Sequence, residues 1–110
     1  MTLQALQARA LEVRALYEQL ETKRHGRSWT TGELMLGFAG DVGDLAKLIQ
    51  GHEGVRRIDD LESKLGHELA DCLWSLLVLA ERCNVDLESA FEATMDELST
   101  HVSNRLAEEG

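Results

Sequence analysis

Four carboxylates fall into two pairs of equal spacing, Asp41-x-x-Asp44 and Glu68-x-x-Asp71. Residues three apart on a helix are neighbours on one face, so each pair sets two carboxylates side by side. Brought together, the four repel one another unless cations bind them. All-oxygen ligands at that density suit a hard divalent ion, Mg²⁺ or Mn²⁺ in its place, which keeps positions open for water and for phosphate oxygens. No Cys/His spacing resembles a zinc site, and the Glu-x-x-His pair of helical di-iron sites is absent from the chain. A second reading uses the same acids as ordinary ion pairs. Asp44 reaches Lys47 at i+3 and Glu68 reaches Lys64 at i−4, contacts worth only a few tenths of a kcal/mol on a solvated face.

The elements that carry these pairs are legible from apolar spacing and caps. Leu3, Leu6, Ala10, Val13, Leu16, Tyr17 and Leu20 predict a first helix over about residues 2–23. Thr30 and Glu33 have capping-box spacing and open a second helix that runs to about Gln50. After the loop GHEGVRRI, a third helix starts near Asp59 or Asp60 and ends at about Cys83; a fourth covers about 87–106. Short connections between long helices predict an all-α, four-helix-type bundle, a single domain over 1–110.

On the second helix the apolar stripe is Leu34, Phe38, Val42, Leu45 and Ile49, flanked by Leu48. At about 100° per residue, Asp41 falls within about 60° of its centre, with Asp44 one turn on. Carboxylates are rarely placed on such a face without a partner or a metal. The third helix is apolar on nearly all sides. Leu65, Leu69, Cys72, Leu73, Leu76, Ala80 and Cys83 form one stripe, while Trp74 and Val78 point the other way. A helix of that kind is buried on two sides, which in a small chain predicts completion of the bundle by oligomerisation.

Of the 110 residues, 11 are Lys or Arg and 20 are Asp or Glu, a net charge of −9, with no proline. That balance excludes a nucleic-acid polymer or an anionic membrane as main partner, since both need a basic footprint. An anionic substrate would therefore need a cation between it and the protein. No run approaches the roughly 18 apolar residues of a membrane helix, and the amphipathic N-terminal segment is unlike a signal peptide. Cys72 and Cys83 lie eleven residues apart on one helix, too far along its axis to bond to each other. Free thiols used as small apolar fillers predict a cytoplasmic location.

The segment GDVGDLAKLIQ and, beginning 23 residues after Asp44, HELADCLWSLLVLA together resemble the MazG-like branch of the all-α nucleotide pyrophosphohydrolases. The signature of that branch is Glu-x-x-Glu, a spacer, then Glu-x-x-Asp. The resemblance covers about residues 29–97, including Trp29 before the second helix and the Val85–Glu88 run at the start of the fourth. It implies Mg²⁺-dependent hydrolysis of a nucleoside triphosphate to pyrophosphate and a monophosphate, a nucleotide-pool housekeeping role, and a homodimer or homotetramer. Carried over by position, Asp41, Asp44, Glu68 and Asp71 hold the metal, and Asp41 and Glu68 are the candidates for activating water. Two departures stand out. Both acids of the first pair are Asp where relatives have Glu, drawing each carboxylate back by one methylene, and Gly40 stands where many relatives carry a further Glu. In the fourth helix, Met95-Asp96-Glu97-Leu98 lacks the Lys and Asn of some deoxynucleotide-specific relatives. The alternative is a catalytically weakened bundle of the same fold that binds a nucleotide or a protein.

Other residues admit two uses each. Trp29 could stack on a base or staple its loop to the bundle. Lys47, Lys64, Arg56 and Arg57 could contact phosphate or stand as solvated surface cations. His67 could support Glu68 or lie on the surface.

Overall fold

A computed structural model describes all 110 residues as four α-helices and no strand: α1 (Leu3–His25), α2 (Thr31–His52), α3 (Leu61–Arg82) and α4 (Leu87–Glu109). Each start has a local cause. The Thr2 hydroxyl accepts from the Ala5 N–H, and the Asp86 carboxylate accepts from the Ser89 N–H. At α2 the capping box is complete: Thr30 Oγ1 accepts from the Glu33 N–H and the Glu33 carboxylate accepts from the Thr30 N–H. The α3 start departs from expectation. Asp60 occupies the cap position but adopts a left-handed backbone, φ 54°, which turns its side chain away from any capping bond.

The ends are equally local. Gly26 closes α1 in the left-handed conformation, its N–H donating to the Thr22 carbonyl, while Lys23, Arg24 and His25 oppose the helix dipole. Beyond α3, Asn84 at φ 55° lets the Val85 N–H return to the Ala80 carbonyl at 2.8 Å.

The all-α bundle expected from the sequence is the architecture observed, but its interior lies among three helices. α3 packs against α2 on one side and α1 on the other. Trp74 ties α3 to α1, its ring 5.5 Å from that of Tyr17 and its indole N–H donating to the Ala10 carbonyl. Gln7 reaches the Leu77 carbonyl from the other side. A charged network closes the lower end: Arg14 pairs with Glu21 in the interior, Glu21 also accepts from the Trp29 N–H, and Arg82 bonds Glu18 across from α3.

α4 leaves the bundle. Phe91, Met95, Leu98, Val102 and Leu106 repeat at helical spacing along it, and all are exposed. The radius of gyration is 17.9 Å, against about 13 Å for a compact chain of this size. Buried residues number seven: Ala10, Arg14, Glu21, Cys72, Leu77, Val78 and Ala80. The apolar stripes read from the sequence are thus only half covered, with Val42, Ile49, Leu69, Leu73 and Leu76 all exposed. Cys83, expected as apolar filler, is exposed as well, because it sits at the α3 terminus; Cys72 is buried, and both are free thiols. No helix is long and apolar enough to cross a membrane.

Candidate metal centre

Asp41 and Asp44 lie one turn apart near the middle of α2, and Glu68 lies in the N-terminal half of α3. The packing of these two helices brings the three together: one carboxylate oxygen from each falls within 4.8 Å of the others. Oxygens on opposite sides of a hard divalent ion lie about 4 Å apart, so small side-chain rotations bring this set into range. Asp71, the fourth expected ligand, is outside that trio. Its Oδ2 stands 3.2 Å from His67 Nε2 on the same helix, although its charge is felt at the cluster.

The electrostatics are those of anions held too close. Burial pushes the Asp41 carboxyl above its usual range, and the charges of Asp71 and Asp44 push it further, against a smaller opposing contact with Glu68. Glu68 is raised likewise, by burial first and then by Asp41, Asp71 and Asp44. Its Oε1 is buried without a hydrogen-bond partner. An orphaned carboxylate oxygen facing other carboxylates is tolerated when a proton is shared or a cation is present. The donor set is all oxygen, so it fits a hard divalent metal ion. The neighbouring Cys72 thiol is pushed up by burial and by the Glu68, Asp41 and Asp71 charges, which keeps it protonated and out of the ligand set.

Neither ion pair of the alternative reading forms: Lys47 does not reach Asp44, nor Lys64 Glu68. Both lysines instead line a cavity of about 790 Å³ that is shared by Asp44 and Glu68 and bordered by Arg56, Arg57 and His67. Trp29 stands apart from this cavity, in the connection between α1 and α2. Its ring stacks on His25 at 5.3 Å and lies under the Arg27 guanidinium at 5.4 Å, both neighbours at the same α1–α2 junction.

Sequence reasoning passed over the interior network of Arg14, Glu18, Glu21 and Arg82. A signal existed, since Arg14, Glu18 and Glu21 follow i, i+4, i+7 spacing on one face of α1. Burial alone would raise Glu21, but the bonds from Arg14 and the Trp29 N–H outweigh it and hold the carboxyl below its usual range.

No family model matches the chain. It is 34% identical over 91 residues to human dCTP pyrophosphatase 1, an alignment that covers 77% of this chain and 54% of that protein. The chain thus spans about half the length of this curated relative.

Proposed function

We propose that residues 1–110 form a MazG-like nucleotide pyrophosphohydrolase that cleaves a nucleoside triphosphate to pyrophosphate and the monophosphate with Mg²⁺, or Mn²⁺ in its place. The observation that carries this reading is the convergence of Asp41, Asp44 and Glu68, with Glu68 Oε1 buried and unpartnered. Similarity to dCTP pyrophosphatase 1 supports it and makes a pyrimidine deoxynucleoside triphosphate the first substrate to test. Asp41, Asp44 and Glu68 would hold the ion, with Asp71 close enough to add a ligand or to orient Glu68 through its charge. When bound, the metal neutralises phosphate charge and makes a coordinated water more acidic. Lys47 and Lys64, on the cavity wall, would reach phosphate oxygens.

The chemistry asked of the chain is modest. Water oxygen bonds to the α-phosphorus, the bond to the α–β bridging oxygen breaks, and pyrophosphate leaves. The water proton passes to a carboxylate, with Glu68 and Asp41 the candidates. A partly buried acid whose pKa is raised is a better proton acceptor than an ordinary surface carboxylate.

Assembly into a homodimer or homotetramer belongs to the same proposal. The chain exposes 8167 Å², against about 6,100 Å² for a compact monomer of its mass. The excess, to which the exposed apolar face of α4 contributes, is of the size an obligate interface covers. Two free thiols support a reducing, cytoplasmic setting.

The test is pyrophosphate release from a panel of ribo- and deoxynucleoside triphosphates with Mg²⁺ or Mn²⁺, for the wild type and Glu68→Gln. Turnover that falls at least about 100-fold in the variant is expected. No turnover on any nucleotide defeats the reading. Nucleotide-dependent stabilisation without turnover would instead favour a binding bundle weakened by its Asp/Asp first pair.

A further inference from the structure

The cavity beside the carboxylate cluster has an uncommon wall for so acidic a chain. Asp44, Asp59 and Glu68 border it, and Lys47, Arg56, Arg57 and Lys64 line it from the end of α2, the α2–α3 loop and the start of α3. Elsewhere the arginines are mostly neutralised: Arg9, Arg14, Arg27, Arg82 and Arg105 all form ion pairs. Six of the 11 Lys and Arg residues form none, and four of those six line this one cavity, the others being Lys23 and Arg24. With 20 acidic residues available, unpaired cations gathered around one concavity mark a place kept free for an external anion.

The loop that carries the two arginines is anchored. The Gly54 N–H donates to the Gly51 carbonyl, and the Val55 and Arg56 N–H groups both donate to the Gln50 carbonyl. Ile58 and Leu61 press on the end of α2 where Gly51 has no side chain; a Cβ there would lie 2.8 Å from Ile58 Cδ1. Arg56 and Arg57 are therefore presented from a fixed backbone while their side chains remain exposed. Guanidinium forks match phosphate oxygens in pairs, and lysines add point charges. Four cations exceed what one phosphate group needs and match a diphosphate.

We infer that Lys47, Arg56, Arg57 and Lys64 form a subsite for the terminal diphosphate of the substrate, which becomes the leaving pyrophosphate. This rests on the proposed cleavage between the α and β phosphates. It orients the substrate: the α-phosphate lies at Asp41, Asp44 and Glu68, and the β and γ phosphates extend over the α2–α3 loop. Chain length of the phosphate tail is thus read by the loop, and a monophosphate product leaves the subsite unfilled.

The experiment is calorimetric titration of inorganic pyrophosphate and inorganic phosphate, in Mg²⁺, into three proteins: wild type, Arg56→Ala/Arg57→Ala, and Lys23→Ala/Arg24→Ala. The last removes the same charge from the unpaired cations outside the cavity. Pyrophosphate is expected to bind wild type at least about tenfold more tightly than phosphate. The loop variant should lose at least about tenfold in pyrophosphate affinity, with an unchanged melting temperature, while the control stays within about twofold. Wild-type affinity in the loop variant, an equal loss in the control, or phosphate binding as tight as pyrophosphate overturns the subsite. The two readings fail separately. Loop-dependent pyrophosphate binding without hydrolysis of any nucleotide leaves the subsite standing and removes the proposed reaction. Hydrolysis whose KM is unmoved in the loop variant, with no inhibition by pyrophosphate, removes the subsite and leaves the reaction.

Discussion

Glu68 concentrates the conflict at the residue scale: a carboxylate with a buried, unpartnered oxygen set against Asp41 and Asp44. Raised carboxyl groups bind protons more tightly in the folded state than in the unfolded one. Without metal, the folded state is therefore penalised as pH rises from the unfolded pKa of Asp41 and Glu68 through their elevated folded values. Mg²⁺ should raise the melting temperature at pH 7 and do so progressively less as the pH is lowered through that window, because protons then compete for the ligands. Glu68→Gln should abolish the metal-dependent shift, while raising the metal-free melting temperature at pH 7 by relieving repulsion; differential scanning fluorimetry over pH reads both. The Arg14–Glu21 pair behaves oppositely. Both side chains are in the interior, so Glu21→Ala leaves an uncompensated guanidinium there and should cost about 3 kcal/mol or more in urea unfolding. Glu12→Ala, at the exposed pair with Arg9, should cost less than about 1 kcal/mol.

Elements are set by local chemistry, and α2 illustrates it best. Thr30 and Glu33 were readable as a capping box from spacing alone because every partner lies within four residues, and the structure contains both of its bonds. Arg27 adds a two-pronged bond to Glu33, which with the Thr30 N–H lowers that carboxyl to about 2. Its contribution is present in full above the unfolded value of 4.5 and disappears as pH falls through about 2. The stability gap between wild type and Glu33→Ala should accordingly narrow from pH 4.5 downward, as followed by far-ultraviolet circular dichroism. Thr30→Ala should cost about 1 kcal/mol. At the other end of α2, Gly51→Ala forces Ile58 and Leu61 to move, and should both lower the melting temperature and weaken pyrophosphate binding by displacing the loop. The α3 start shows where local reading ran out. Asp60 has a capping side chain by type, but the path of the loop places its backbone in the left-handed region.

For the whole molecule, the uncovered apolar faces decide what the protein needs. With seven buried residues and a helix standing clear of the others, the chain buries little apolar surface of its own, and the proposed assembly is what would cover the rest. Light scattering should give a mass at least twice 12.3 kDa, and the melting temperature should rise with protein concentration. Leu98→Asp, in the middle of the exposed α4 stripe, should lower both the mass and the melting temperature.

The number and order of the helices, and their limits to within about three residues, followed from the sequence because caps, left-handed turns and apolar periods act within a few residues. The two acidic pairs were visible for the same reason: spacing alone places each on one helix face. Which carboxylates meet across helices was another matter. Only the packing of α2 on α3 brings Asp41 and Asp44 beside Glu68 and gathers Lys47, Arg56, Arg57 and Lys64 around one cavity. That α4 stands clear of the other three helices was equally hidden, since an apolar stripe carries no record of which surface buries it.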